Sequence, residues 1–286
     1  MEKIGLVLEG GGMRTAYTAG VLEFFAENDL YFPYTIGVSA GACLAISYLS
    51  RQRGRNKVVN IDWVSDPRYL SVRNWIKDRQ LFGMDFIFDE IPNTLVPFDF
   101  DAFAASREEL VVATTDCRTG EAVYHYKSAP GFDVLRALRA SSSLPFIAPV
   151  VDYGGVPMLD GGIADPIPLR KAERDGCARN LVVLTRNEGY RKSPNRFSWL
   201  LRAAYGKYPE FVATMLRRHK VYNETVAYVG KQAREGAAFV IRPSLPLEVG
   251  RMERNPAKLQ VLYDRGYEDA RALLPSLREW LAGAEL

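Results

Sequence analysis

Apolar residues fall along this chain in two rhythms. Short unbroken runs occur at Ile4–Leu8 (IGLVL), Tyr34–Val38 (YTIGV), Glu109–Thr115 (ELVVATT), Ala122–Tyr126 (AVYHY), Asn180–Thr185 (NLVVLT) and Ala237–Pro243 (AAFVIRP). Runs of this length with no polar alternation predict strands buried on both faces. Helical spacing holds over Met13–Asn28, Ala40–Arg53 and Phe132–Ala140. Strands alternating with helices predict an α/β fold, a three-layer sandwich around a mostly parallel sheet. CRTGEAVYHY reads as a hairpin turning at Thr119-Gly120, which makes the sheet mixed.

Two stretches depart from this rhythm. Leu81–Ala105 carries six phenylalanines and two prolines without a clean period. It reads as an irregular excursion packed on the core, or as part of an apolar substrate pocket. Beyond Thr185 the chain turns basic and helical, which divides it into an α/β domain over 1–185 and a mainly helical C-terminal extension over 186–286. Arg186–Lys220 holds nine Lys/Arg (Arg186, Arg191, Lys192, Arg196, Arg202, Lys207, Arg217, Arg218, Lys220) against Glu188 and Glu210. Solvated helix faces explain such a run. A basic, aromatic-bearing surface for anionic lipid is the sharper reading.

The bulk properties narrow the class. With 286 residues the chain can bury a substantial core, and a net charge of +3 is too small to argue for nucleic acid. No nucleic-acid recognition motif is present either. Three cysteines without CxxC spacing read as reduced thiols of a cytoplasmic protein, with neither a disulfide frame nor a zinc site. The start of the chain is too short and too lightly charged for a signal peptide. No run approaches the roughly 18 apolar residues of a membrane span.

Chemistry concentrates at two strand ends. The first strand leads into Gly10, Gly11 and Gly12. The G-x-G-x-x-G fingerprint and the P-loop ending are both missing, so a nucleotide site ranks last. Free amides in such a loop suit an oxyanion instead. The second strand ends in Gly37-Val38-Ser39-Ala40-Gly41, a G-x-S-x-G turn that exposes Ser39 at a helix start. Only His125 and His219 could complete a Ser-His-Asp set; His219 has the right order but sits among Arg217, Arg218 and Lys220. Asp160, in PMLDGGIADPIPL, is the better base, with Asp165 its local competitor.

A glycine triplet, G-x-S-x-G about 27 residues on, ASSSLPFIAPV at Ala140–Val150 and a distant Asp-Gly-Gly together resemble the patatin-like phospholipases over Ile4–Thr185. The resemblance implies a Ser–Asp dyad that hydrolyses acyl esters of lipids without metal or cofactor. Ser39 would be the nucleophile and Asp160 its base. The amides of Gly11, Gly12 and Met13 would form the oxyanion hole. Gly10 and Arg14 complete the loop, Gly37 and Gly41 flank the serine, and Gly161 and Gly162 follow the aspartate. Thr15 stands where the family usually has glycine, and Glu9 where many members have aspartate. LTRNEGYRK and the basic helices beyond it are similar to a bacterial patatin subgroup. The competing readings are a Ser-His-Asp carboxylesterase using His219 and a lipid- or acyl-binding protein with little turnover.

Overall fold

The computed structural model describes residues 3–194, 198–246 and 248–282. Arg196 of the basic run lies outside the described residues. The strands are β1 (Ile4–Leu8), β2 (Tyr34–Val38), β3 (Glu109–Asp116), β4 (Ala122–Tyr126), β5 (Val151–Tyr153), β6 (Val156–Asp160), β7 (Arg179–Val183) and β8 (Ala238–Ile241). The helices are α1 (Ala16–Glu27), α2 (Ala40–Leu49), α3 (Val72–Asp78), α4 (Phe100–Ala105), α5 (Val134–Ser141), α6 (Leu169–Arg174), α7 (Ser198–Tyr205), α8 (Pro209–Arg234) and α9 (Pro256–Leu281), apart from single turns and two π-helical segments.

The sheet runs β5-β6-β3-β2-β1-β7-β8, with β4 also on β3. Strands β8, β7, β1, β2 and β3 are parallel; β4 and β6 lie antiparallel to β3. The parallel strands are mostly buried because both faces are covered. Ile4, Leu6, Leu8, Leu181 and Val183 pack with α1, α2 and α9 on one face. Val7, Ile36, Val111 and Val182 pack with α6 and α8 on the other. This is the three-layer α/β sandwich with a largely parallel sheet that the apolar runs predict. The hairpin turns as expected: Thr115 faces Ala122, and Gly120 adopts φ +68° at the corner.

Three elements differ from the sequence reading. The expected helix from Met13 opens as a 3-10 turn over Gly12–Thr15, because Gly12 enters at φ +56°. The excursion at 81–105 is ordered into a π-helical segment, Phe86–Leu95, and α4. The β5–β6 hairpin, which no apolar run announces, carries Asp160 into the sheet. After Thr185 the expected strand forms: β8, within the Ala237–Pro243 run, extends the sheet beside β7, and α9 packs along α1. No described helix is long and apolar enough to cross a membrane.

Candidate active site

Parallel strands deliver their C-terminal ends to one edge of a sheet, and there the chemistry-bearing residues gather. Val38, the last residue of β2, faces Ala113 of β3, and the chain turns at once into α2. Ser39 makes that turn with φ +54° and ψ −132°, a conformation that costs a non-glycine residue about 1–3 kcal/mol. The turn is possible only because its flanks lack side chains. A Cβ on Gly37 would lie 2.7 Å from the Ala42 amide nitrogen, and one on Gly41 2.7 Å from the Glu9 carbonyl oxygen. Ser39 is thereby held at the positive end of α2.

Asp160 ends β6 opposite Thr114, one residue further along β3 than the Val38–Ala113 pair. Its carboxylate accepts from the Gly162 amide at 2.8 Å, and its own amide donates to the Ser143 carbonyl at 2.9 Å. Gly161 must be glycine here, since a Cβ would sit 2.2 Å from the Ala113 carbonyl oxygen. Asp165 lies apart: it accepts from the Tyr124 hydroxyl at 2.7 Å and does not line the cleft described below.

The Ser141–Ser143 stretch joins the two halves. Ser141 Oγ accepts from the Ser39 amide at 2.8 Å and donates to the Ala113 carbonyl at 2.6 Å, while the neighbouring Ser143 carbonyl holds Asp160. Both groups are buried. Sequence reasoning noticed this stretch only as part of a family pattern. A run of serines carries no periodicity from which a bridging role can be read.

The glycine loop leaves the Gly11 and Gly12 amides without an acceptor among the described residues. Met13 is a correction. Its amide donates to the Arg251 carbonyl at 3.0 Å, so it is not available to an oxyanion. Gly10 must stay bare, because a Cβ would come 2.8 Å from the Val38 carbonyl oxygen. Thr15 fits despite its branching: it is buried, and its hydroxyl donates to the Gly12 carbonyl at 2.7 Å, bracing the loop. Glu9 is buried and saturated, accepting from the Thr185 amide and hydroxyl and from the Tyr222 hydroxyl.

Ser39 stands at the meeting of two cavities. The first is apolar and opens to solvent, about 870 Å³ with that open space counted; Ile46, Tyr69 and Leu138 line it together with Phe82, Met84, Ile87, Phe88 and Ile91 of the phenylalanine-rich excursion. The second is a polar cleft of about 470 Å³ that contains Ser39, Asp160 and Gly10–Gly12. Gly12, Ser39 and Leu144 line both. Cys43, on the apolar side, is no rival nucleophile, because burial pushes its thiol up to about 11.

The polar cleft also collects cations. Arg14 comes from the glycine loop, Arg186 and Lys192 from the loop that follows β7, Arg218 from α8 and Arg251 from the segment before α9. Arg218 Nε donates to the Gly162 carbonyl at 2.7 Å and so fastens the turn after Asp160. Three residues of the basic run therefore face inward, whereas Arg191, Arg202, Lys207, Arg217 and Lys220 are exposed. The sequence does not distinguish these groups, since both are simply basic. Neither histidine lines the cleft. His219 Nδ1 lies 3.1 Å from the Leu216 carbonyl. His125 bonds Thr114 Oγ1 at 2.8 Å, and burial lowers its pKa to about 4.

The model of the Patatin-like phospholipase family matches residues 6–172, more than half of the chain, and the chain belongs to that family. A second family model, described as a domain of unknown function (DUF6363), matches residues 208–282. The chain is 26% identical over 252 residues to the uncharacterized protein YjjU of Escherichia coli (strain K12), covering 86% of this chain and 70% of that one. Among solved structures it is similar to VipD from Legionella pneumophila, with a TM-score of 0.49, 13% identity, and coverage of 96% of this chain and 67% of that one. It is also similar to the type III effector protein ExoU, with a TM-score of 0.41 and 13% identity, and it spans about half of that chain.

Proposed function

We propose that this chain is a serine hydrolase that cleaves acyl esters of lipids through a Ser39–Asp160 dyad and an acyl-enzyme. One observation carries the reading: a strained serine at a helix start divides an apolar cavity from a polar cleft holding a buried aspartate and two free amides. Family membership supports the same class of reaction.

In this mechanism the acyl chain lies in the apolar cavity. Ser39 Oγ attacks the ester carbonyl while Asp160 takes the hydroxyl proton. The Gly11 and Gly12 amides donate to the oxyanion, a contribution of about 3–4 kcal/mol per donor in other hydrolases. The C–O bond to the alcohol breaks, and Asp160 returns the proton to that oxygen. Water, deprotonated by Asp160, then attacks the acyl-enzyme, and Ser39 is restored as the fatty acid leaves.

The test is labelling with a fluorophosphonate, read by intact mass. We expect a single adduct on the wild type and none on Ser39→Ala. A folded wild type that takes no label would remove the reading in favour of an acyl-binding protein.

We also propose that the outward part of the basic run docks on anionic membrane. Trp199 is 68% exposed and Leu200 40%, close in sequence to the exposed Arg202 and Lys207. Apolar side chains flanked by cations suit an interfacial helix. Vesicle sedimentation should show tighter association with anionic than with zwitterionic bilayers, and a loss of that difference in Arg202→Gln/Lys207→Gln. Equal partitioning of the wild type into both would sink the idea.

A further inference from the structure

We propose that the cleft beside Ser39 receives a phosphate-type dianion, so that the esters this chain cleaves carry a terminal phosphomonoester rather than a neutral or zwitterionic head. The inference rests on the serine-hydrolase reading and specifies its substrate.

Five cations, Arg14, Arg186, Lys192, Arg218 and Arg251, face two carboxylates across the cleft. The carboxylates offset only part of that charge and leave the lining with a formal excess of three positive charges. Both Glu9 oxygens are engaged by Thr185 and Tyr222, and Asp160 accepts from the Gly162 amide. Among the described residues, none of the five cations makes an ion pair. Arg14 is 5% exposed, and its Nε has no acceptor. A buried guanidinium N–H without a partner is unfavourable, and a bound anion would satisfy it.

The cations repel one another across the cleft. Burial first, and then Arg186 and Arg251, bring Arg14 down to about 10. Burial, then Arg218 and Arg251, bring Lys192 down to about 7. Such crowding is unfavourable by itself and becomes favourable around an anion that accepts from several donors. Aromatic faces hold two of the side chains in place: Arg186 lies 4.1 Å from the Tyr190 ring centroid, and Lys192 4.6 Å from that of Tyr222. LTRNEGYRK, the phrase for which the dyad has no use, supplies Arg186, Tyr190 and Lys192 to this cleft.

The choice of a phosphomonoester follows from charge and position. The cleft and the apolar cavity meet at Gly12, Ser39 and Leu144. One molecule can therefore place its acyl chain on one side of the serine and its head group on the other. A phosphomonoester carries about −1.5 to −2 at neutral pH, whereas a diester carries a single charge. A quaternary ammonium on a zwitterionic head would be brought against like charge, which is a penalty as well as a missing attraction.

The experiment uses the full chain with Ser39→Ala, so that binding is read without turnover. Short-chain lysophosphatidate, lysophosphatidylcholine and monoacylglycerol, all kept monomeric, are titrated calorimetrically, with inorganic phosphate as a fourth ligand. Lysophosphatidate should bind about thirty-fold tighter than the other two lipids, the scale of one or two charge-assisted hydrogen bonds. Arg186→Gln/Lys192→Gln should cut that preference at least tenfold, while Arg186→Lys retains most of it. Thermal melting checks that each variant is folded. Equal affinity for the three lipids, or a preference that survives the double variant, would overturn the proposal. Inorganic phosphate binding as tightly as lysophosphatidate would assign the cleft to a free anion and overturn the head-group role. Failure of fluorophosphonate labelling would instead strike the hydrolase reading, because this titration does not depend on Ser39 reacting.

Discussion

Ser39→Ala is expected to lower kcat/KM for any acyl ester by about 10⁴-fold or more, because it removes the nucleophile of the proposed acyl-enzyme route. Asp160→Asn should cost about 10²–10⁴-fold, the usual worth of a positioned general base. The amide substitution is nearly isosteric and can still accept from the Gly162 amide, so the loss would report proton transfer and not a collapsed turn. His219→Ala should stay within about twofold, since His219 lies outside the cleft and contacts a carbonyl of its own helix. Steady-state hydrolysis of a short-chain ester by the three variants decides the matter. A large loss in His219→Ala with a small one in Asp160→Asn would reverse the assignment of the base.

The second large effect concerns the frame. Helices α1 and α9 cross in backbone contact at Gly20 and Gly266. A Cβ on Gly20 would fall 1.9 Å from the Tyr263 carbonyl oxygen, and one on Gly266 would fall 1.9 Å from the Tyr17 carbonyl oxygen. Backbone cannot rotate aside as a side-chain tip can, so the helices must separate. Gly20→Ala or Gly266→Ala is expected to destabilise the protein by about 3 kcal/mol, or about 6–10 °C in Tm. The control is Gly230→Ala on α8, where the nearest atom is the flexible Arg234 guanidinium at 3.6 Å. Removing a helix-interior glycine there should stabilise by about 0.5–1 kcal/mol. Thermal and urea unfolding compare the three. An unchanged Tm in Gly20→Ala would mean that the crossing is not close-packed. Because α1 follows the glycine loop directly, loosening this crossing should also blunt activity below the melting range.

The local features of the site were legible because local chemistry dictates them. Five apolar residues, then Glu9 and three glycines, read as a strand entering a loop, and G-x-S-x-G after a second such strand marks a tight turn into a helix. Asp-Gly-Gly was legible for the same reason, since Gly161 approaches a carbonyl within 2.2 Å of where a Cβ would stand. The hairpin that delivers Asp160 was harder to see: β5 and β6 are short and partly exposed, and their apolar pattern is weak. The Met13 amide was misjudged because its acceptor, the Arg251 carbonyl, is more than 200 residues away in sequence, and no local rule reports on it.

The sequence by itself determined the parallel strands, the strained serine and the glycines around it, since each follows from steric limits within a few residues. Which arginines turn inward was decided only by the tertiary structure. Arg218 and Arg217 are neighbours on one helix, yet the first fastens the turn after Asp160 and the second is exposed. Helical periodicity puts them on different faces, but only the packing of α8 against the sheet says which face meets the cleft. The environment of Asp160, and the charge awaiting a substrate beside it, depend on residues brought from the far end of the chain.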